Sequence, residues 1–394
     1  MMTPEENALL TSVGRGTPAG DMMRRYWLPV GISADVAEQP QYIRILGEDL
    51  VLFRLPDGRV GLMDAFCAHR GASLVYGCVE RGGLRCRYHG WLYDQAGKCV
   101  EQPGEVSRAA REEKVRQRAY PTQELGGLVF AYMGPEPAPV LPRFDTLVRL
   151  DGVRKAQVAR TIACNYLQIL ENSMDPVHLP FVHGETIKVW AGVPDFSVEE
   201  TPFGMRQVQT RPGPDADHKY VRSVFHILPF ARMVGIPASE DDFSTPTTIR
   251  TIWAVPIDDT NTIEFEVRFQ PGMGGRTLDY KFESKPEDFD VKLDIPFQRY
   301  RNPGQPCVQY PRFFGAQDQL MQLSQGPIAR REKEHLRSSD RGVVLVRKII
   351  RDAIGDVQNG KDPRGVLRNR PADDIVTFDL EDHLVPVKPE AAEV

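Results

Sequence analysis

The sequence predicts an α+β fold in which a small β domain is followed by a larger domain of antiparallel sheet and helices. Over residues 27–142, short apolar segments alternate with turn residues, which is typical of an all-β unit. The tract Gly-Pro-Glu-Pro-Ala-Pro at residues 134–139 marks a boundary. Beyond it, helix-like and strand-like patterns follow one another. The 33 glycines and 32 prolines among 394 residues also favour many turns over a helical bundle.

The individual elements follow in chain order. Thr3 is placed to cap a first helix, because Pro4 takes the first helical position and Glu6 completes a capping box. Strands are predicted at residues 42–46, 50–55, 127–132, 249–255 and 263–269. Helices are predicted at residues 163–174, 318–335 and 343–350, and residues 363–394 are predicted to form a polar surface arm. We expect residues 1–145, with the first helix, to form one domain and residues 146–394 to form the second.

Composition and charge exclude several classes of protein. The net charge of −5 gives no overall attraction to nucleic acid or anionic lipid. Hydrophobic residues make up 41% and charged residues 26%, which is ordinary for a globular protein and excludes wholesale disorder. The acidic start of the chain lacks the basic and apolar regions of a signal peptide, and no apolar run is long enough to span a bilayer. We therefore expect a cytoplasmic protein without a membrane or nucleic-acid partner.

The cysteines and histidines of residues 67–99 indicate a metal site. They form two pairs, Cys67-x-His69 and Cys86-x-x-His89, in a chain whose six cysteines are too sparse for a disulfide scaffold. A two-iron cluster can take one thiolate and one imidazole from each of two loops, whereas a zinc finger groups its cysteines and its histidines separately. We expect a [2Fe–2S] cluster, with zinc as the alternative. Two cysteines outside the pattern are predicted to be small buried residues: Cys78 and Cys99.

The segment around residue 175 indicates a second metal site. Two histidines and one carboxylate on one face of a metal are typical of O₂-activating Fe(II) enzymes. His178 and His183 would lie about 140° apart on a regular helix, and Pro176 and Pro180 make such a helix unfavourable, so a broken helix is expected here. Asp175 precedes His178 by three residues and is placed to accept the far N–H of that imidazole. The alternative is an Asp-Pro turn beside two ordinary histidines.

Taken together, these motifs resemble a known family. Cys-x-His followed by Cys-x-x-His-Gly-Trp resembles the Rieske signature. With Asp-x-x-His-x-x-x-x-His downstream, the chain is similar to the α subunit of a Rieske non-haem iron ring-hydroxylating oxygenase. The opening residues 3–7, the segment 24–27 and the segment 318–336, which begins Asp-Gln-x-Met, are similar to the phthalate-dioxygenase branch.

The resemblance implies roles for particular residues. It implies an N-terminal all-β Rieske domain that holds the [2Fe–2S] cluster, followed by a catalytic domain with a mononuclear Fe(II). The third iron ligand would be Asp318, for which the alternative is a helix-capping aspartate. Asp175 would carry electrons from the cluster of one subunit to the iron of the next, in a homotrimer or a dimer of trimers.

The resemblance also implies an activity and partners. The chain would be a terminal oxygenase that uses O₂ and electrons from a separate NAD(P)H-dependent reductase, with or without a ferredoxin. Its substrate would be an aromatic carboxylate, and cis-dihydroxylation and O-demethylation stay open. The alternatives are a Rieske electron-transfer protein without catalytic iron and a zinc-binding structural protein. The pocket is expected within residues 185–317, where His226 lines it or lies in the core. Four arginines there are candidates for binding a substrate carboxylate: Arg206, Arg222, Arg232 and Arg250.

Overall fold

The computed structural model describes residues 2–107, 115–184, 192–213, 215–236, 248–272, 311 and 313–387. Much of the segment 185–317, where the pocket is expected, therefore lies outside the described residues. The helices are α1 (Pro4–Thr11), α2 (Pro18–Met23), α3 (Asp145–Val148), α4 (Tyr166–Ser173), α5 (His178–Val182), α6 (Phe314–Ser324) and α7 (Arg341–Gln358). Short 3₁₀ turns lie at Ser33–Asp35, Leu74–Tyr76, Arg331–Lys333 and Ser338–Asp340.

The first twelve strands build the N-terminal β part of the chain. They are β1 (Trp27–Ile32), β2 (Gln41–Ile45), β3 (Glu48–Arg54), β4 (Val60–Asp64), β5 (Cys78–Glu80), β6 (Gly83–Arg85), β7 (Leu92–Tyr93), β8 (Cys99–Glu101), β9 (Ala119–Tyr120), β10 (Thr122–Leu125), β11 (Leu128–Tyr132) and β12 (Arg143–Phe144). Eleven of them form three antiparallel sheets, with orders β1-β11-β10, β2-β3-β4-β9 and β5-β6-β7-β8, whereas β12 pairs in parallel with Ile375–Val376.

The remaining strands form the second part. They are β13 (Gly152–Ile162), β14 (Asp195–Thr201), β15 (Gly204–Pro212), β16 (His218–Ile227), β17 (Ala231–Ile236), β18 (Thr248–Asp258), β19 (Asn261–Pro271), β20 (Ile375–Val376) and β21 (Asp382–Pro386). An eight-stranded antiparallel sheet has the order β13-β19-β18-β17-β16-β15-β14, and β21 pairs with β16. The predicted α+β fold is confirmed.

The hydrophobic core runs across the junction between the two parts. Phe130 on β11 packs edge-on against Trp253 on β18, with ring centroids 5.9 Å apart. The predicted capping box at Thr3 and Glu6 is present. Helix α1 nevertheless contacts the second part, because the Tyr166 hydroxyl donates to the Leu10 carbonyl at 2.7 Å. The boundary near residue 145 stays a prediction.

Three elements predicted in the C-terminal third differ from the structure in their bounds or their form. The helix predicted at residues 318–335 begins earlier, at Phe314, and ends at Ser324, because Gly326 has a positive φ and Pro327 follows it. The helix predicted at 343–350 is longer and spans Arg341–Gln358. The arm predicted from residue 363 is not a free surface segment, since β21 adds a strand to the large sheet. Its alternating residues are weakly apolar, so the sequence carries little strand signal there.

Within the described residues, no helix is both long enough and apolar enough to cross a bilayer.

Candidate metal centres

Two loops of the β part share one backbone hydrogen-bond pattern. In the first, the Gly71 N–H donates to the Cys67 carbonyl at 2.8 Å, and in the second the Gly90 N–H donates to the Cys86 carbonyl at 3.0 Å. In both loops the cysteine N–H donates to the carbonyl five residues later, at 2.8 Å. Gly71 and Gly90 have φ angles of +71° and +75°, which favour glycine. The sequence thus builds two equivalent loops, each with one cysteine and one histidine.

The two loops hold their thiols inside and their imidazoles outside. Cys67 and Cys86 are each 3% exposed, whereas His69 is half-buried and His89 is exposed. The ring centroids of the two histidines lie 4.7 Å apart. Trp91 stacks on His69 with ring centroids 4.4 Å apart and planes at 5°. The histidine side of this site is therefore the side that a partner protein can approach.

These four side chains fit a two-iron cluster. The buried Nδ1 of His69 has no hydrogen-bond partner in the described part of the chain, and burial raises the pKa of the Cys67 thiol. A metal bound to the thiolate would compensate for that burial. Each loop supplies one thiol and one imidazole, an arrangement that suits two metal ions better than one tetrahedral zinc. The predicted burial of Cys78 and Cys99 was wrong, because both are only half-buried.

The second centre forms where α5 ends against α6. His178 is the first residue of α5 and His183 follows its last residue. A full helical turn forms there although Pro180 is its third residue, because the first N–H groups of a helix have no intrahelical partner. The expected break in the helix is present, because α4 ends at Ser173 and α5 starts only at His178. The rings of His178 and His183 lie at 74° to each other with centroids 5.6 Å apart.

Asp318 joins the two histidines from helix α6. Its Oδ1 lies 3.0 Å from His183 Nε2 and 3.5 Å from His178 Nε2. One donor atom from each of the three residues lies within 4.8 Å of the other two. Among the described residues, this is the single group of three such side chains that could hold one metal ion. Asp318 is the fifth residue of its helix, and Phe313 occupies the N-cap position. The helix-cap alternative for Asp318 is therefore excluded.

The electrostatics of this group favour a bound cation. Burial opposes ionisation of Asp318, but the neighbouring imidazoles of His178 and His183 hold the pKa of its carboxyl well below the usual range. Burial lowers the pKa of His178, but the carboxylates of Asp175 and Asp318 outweigh it and raise that pKa to about 9. The buried Nδ1 of His178 has no hydrogen-bond partner among the described residues. Two imidazoles and one carboxylate form the donor set that holds non-haem Fe(II).

Asp175 lies beside this group without a short hydrogen bond to it. Its Oδ1 accepts the Val177 N–H at 2.8 Å, which closes an Asx turn. Its Oδ2 is 3.7 Å from His178 Nδ1, longer than a hydrogen bond. The Asp175 side chain is 27% exposed. The expected Asp175–His178 pair is thus adjacent and electrostatically coupled but not hydrogen-bonded.

One face of the large sheet lies against the segments that carry these residues. We call it the inner face. Gln207 donates to the Met174 carbonyl at 2.6 Å, and Arg211 donates to the Pro176 carbonyl at 2.9 Å. Arg160 donates to the Gly315 carbonyl of α6 at 2.7 Å. By the strand register, the ionisable residues that strands β16–β19 place on the inner face include Arg222, Arg232, Arg250, Glu264, Glu266 and Arg268.

The candidate arginines divide between the two faces. Arg232 and Arg250 form ion pairs on the inner face with Glu264 and Glu266 respectively. Arg206 lies on the opposite face, where it pairs with Glu381 at 2.7 Å. Arg206 is thus turned away from the inner face, which the sequence could not show.

His226 is also on the inner face. It is 1% exposed, and neither ring nitrogen has a hydrogen-bond partner in the described residues. Burial lowers its pKa to about 3, so the imidazole is neutral.

Sequence reasoning missed several residues beside the two centres. They are Tyr93 near the cluster site, and Asn172 and Gln317 near Asp318. Asn172 Nδ2 lies 3.4 Å from Asp318 Oδ1, and Gln317 Oε1 lies 2.8 Å from His183 Nδ1. Gln317 directly precedes the proposed ligand Asp318, a signal that could have identified it, whereas no local signal marks Asn172.

Comparisons with known proteins give the family. Residues 26–121 match the description "Rieske [2Fe-2S] domain", and residues 131–381 match "LigXa C-terminal domain like". The chain is 35% identical over 401 residues to the phthalate 4,5-dioxygenase oxygenase subunit of Pseudomonas putida, covering 93% of this chain and 89% of the relative. It is 36% identical over 384 residues to the phenoxybenzoate dioxygenase subunit alpha of Ectopseudomonas oleovorans, covering 91% and 87%.

A third relative carries a different type of activity in its name. The 5,5'-dehydrodivanillate O-demethylase oxygenase subunit of Sphingobium sp. (strain NBRC 103272 / SYK-6) is 32% identical over 387 residues, covering 94% of this chain and 84% of the relative. Among solved structures, dicamba monooxygenase bound to dicamba aligns with a TM-score of 0.63 at 19% identity, over 86% of this chain and 99% of that one. This structural likeness shows the fold alone. The chain belongs to the Rieske non-haem iron oxygenases, as an α subunit of the phthalate-dioxygenase-like branch.

Proposed function

We propose that this chain is the terminal oxygenase of a multicomponent Rieske system that hydroxylates or O-demethylates an aromatic carboxylate. The observation that carries the proposal is the group of His178, His183 and Asp318, whose donor atoms lie within 4.8 Å of one another. A Rieske electron-transfer protein without catalytic iron does not need a second metal site. That alternative therefore leaves the group of His178, His183 and Asp318 unexplained.

We assign the metal ligands as follows. Cys67, His69, Cys86 and His89 would hold the [2Fe–2S] cluster, and His178, His183 and Asp318 would hold one Fe(II). When bound, the cluster supplies single electrons and the iron supplies a site for O₂ activation. The protein's own residues orient the imidazoles, keep Asp318 ionised and exclude water through the burial of His183.

Asp175 is proposed as the residue that connects this centre to a second subunit. Its partly exposed carboxylate lies beside His178, so it can reach both the iron ligand and a partner surface. Phe181, in the same segment, is 76% exposed. The exposed His89 and Tyr88 of the cluster site give a matching polar and aromatic surface. A homotrimer or a dimer of trimers, with the cluster of one subunit facing Asp175 of the next, accounts for both exposed surfaces.

A carboxylate on the substrate is supported by the inner face. Strands β16–β19 place four arginines and two glutamates there, a net positive surface beside the segments that carry the iron ligands. Two relatives are named for acidic aromatic compounds, phthalate and phenoxybenzoate. Electrons would come from a separate NAD(P)H-dependent reductase, since the relatives are named as subunits of larger systems.

The test is a single turnover of chemically reduced protein in ¹⁸O₂ with a panel of aromatic acids and their methyl esters. Two labelled oxygens in one ring product would establish a dioxygenase. Loss of a methoxy carbon as formaldehyde would establish an O-demethylase. Turnover of the esters in place of the acids would contradict the carboxylate assignment.

Metal analysis of the same preparation tests the competing functions. The proposal expects three irons per chain, two from the cluster and one mononuclear. Two irons per chain would favour the electron-transfer alternative, and zinc without iron would favour the structural one.

A further inference from the structure

The side-chain amide of Gln317 lies between one proposed iron ligand and the backbone. Its Oε1 is 2.8 Å from His183 Nδ1, and its Nε2 donates to the Pro311 carbonyl at 2.9 Å. Both side chains are buried, with Gln317 3% exposed and His183 1% exposed. An amide has one accepting and one donating end. Because the donating end is used by Pro311, the accepting oxygen faces the imidazole.

This orientation decides where the proton of His183 lies. Nδ1 must donate to the Gln317 oxygen, so the neutral ring presents a lone pair at Nε2. That lone pair faces Asp318 Oδ1 at 3.0 Å. Two acceptors at this distance repel each other unless a cation lies between them. The Gln317 contact therefore prepares Nε2 for a metal ion that Asp318 also binds.

We propose that Gln317 is a positioning residue that sets the tautomer and the direction of His183 for binding the mononuclear metal. The inference rests on the proposed function, because it takes His183 as a ligand. Gln317 and Asp318 are adjacent in α6, so one helical turn supplies both a ligand and the residue that orients another ligand.

The Nδ1 atoms of the two imidazoles have different neighbours. His183 is held by a neutral amide at hydrogen-bond distance, whereas His178 has the Asp175 carboxylate 3.7 Å from its Nδ1. A short hydrogen bond fixes a ring more closely than a longer electrostatic contact. We therefore expect His183 to be the firmly placed ligand and His178 the ligand that responds to its surroundings.

The experiment measures iron binding in three variants of the full chain. Gln317→Leu removes the acceptor, Gln317→Glu keeps an acceptor, and Gln168→Leu is the matched control. Gln168 is 1% exposed and binds α6 and the turn after it through the Gln322 and Gly326 carbonyls, without touching a proposed ligand. Each protein, with its cluster retained, is dialysed against Fe(II) buffered by a graded chelator, and the mononuclear iron is counted. The EPR spectrum of its nitric oxide complex reports the symmetry of the site.

The proposal expects Gln317→Leu to bind Fe(II) about 10- to 100-fold more weakly, with a changed EPR line shape, while the [2Fe–2S] absorption stays unchanged. Gln168→Leu should keep near-normal affinity and line shape. Gln317→Glu keeps the acceptor for His183 but loses the donor to Pro311, so its affinity should lie between those of Gln317→Leu and the unmodified chain. Normal iron binding by Gln317→Leu would overturn the proposal, as would equal loss in Gln168→Leu. Absence of mononuclear iron from the unmodified chain would instead contradict the proposed function itself.

Discussion

The hydroxyl of Tyr93 lies 3.1 Å from the sulfur of Cys67, and both side chains are buried. Burial raises the pKa of Tyr93 and so keeps the phenol protonated as a donor. Hydrogen bonds to the sulfurs of an iron–sulfur cluster help to set its reduction potential. The contact thus links strand β7 to the redox property of the proposed cluster.

Replacing Tyr93 with phenylalanine should lower the midpoint potential of the cluster. The Tyr93 hydrogen bond stabilises the reduced cluster, which is the more negatively charged state. If its removal costs that state about 1 kcal/mol, the midpoint potential falls by roughly 40 mV for one electron. A redox titration followed by EPR measures the shift. Tyr76→Phe is the control, because the Tyr76 side chain is 74% exposed. An unchanged potential in Tyr93→Phe would show that the contact does not tune the cluster.

Replacing Asp175 with alanine should leave both metals in place but break electron transfer between them. Its carboxylate is beside His178 without being a member of the compact donor group. We expect product formation in a single turnover to fall by about 10- to 100-fold, as is typical for residues that support a metal ligand. Iron analysis and rapid-quench product assays measure the two effects. Normal turnover would contradict the bridging role.

Replacing Glu171 with leucine should destabilise the protein. Glu171 on α4 accepts from Arg331 at 2.8 Å and from Arg347 at 2.6 Å, and all three are buried. Without this carboxylate, the two buried guanidinium groups lose the negative partner that they share. The free energy of unfolding should fall by about 3 kcal/mol. Denaturant unfolding measures the change. Glu199→Leu removes an exposed partner of Arg206, so its effect should stay within about 1 kcal/mol. Equal effects of the two changes would refute the importance of the buried network.

Replacing His226 with leucine should reduce the acid sensitivity of the fold. The folded pKa of about 3 is below the ordinary value of 6.5, so the unfolded chain binds a proton that the folded chain does not. Stability from this group is present above pH 6.5 and is lost as the pH falls toward 3. At pH 5 the loss should be about 2 kcal/mol.

The measurement for His226 is the difference in melting temperature between pH 7.5 and pH 5. The difference should be smaller in His226→Leu than in the unmodified chain. His218→Asn is the control, because that histidine is exposed and pairs with Asp215. Identical pH dependence in His226→Leu and the unmodified chain would show that His226 does not limit acid stability.

The sequence by itself determined the fold class and the chemistry that the chain offers. Cys67, His69, Cys86 and His89 were recognisable because each pair lies within one short loop, where local spacing decides which side chains meet. His178 and Asp175 were recognisable for the same reason. Their roles as ligands and bridge stay predictions, although the structure brings the proposed iron ligands together.

Only the tertiary structure decided which distant residues complete the centres. Gln317 meets His183 across 134 positions of the chain, and Asn172 meets Asp318 across 146. Such contacts depend on how helices α4, α5 and α6 pack, which no local pattern encodes. The direction of each arginine depends on strand register, so Arg206 and Arg232 lie on opposite faces although both come from strand-like segments. Local spacing specified the donor atoms, and long-range packing specified what surrounds and orients them.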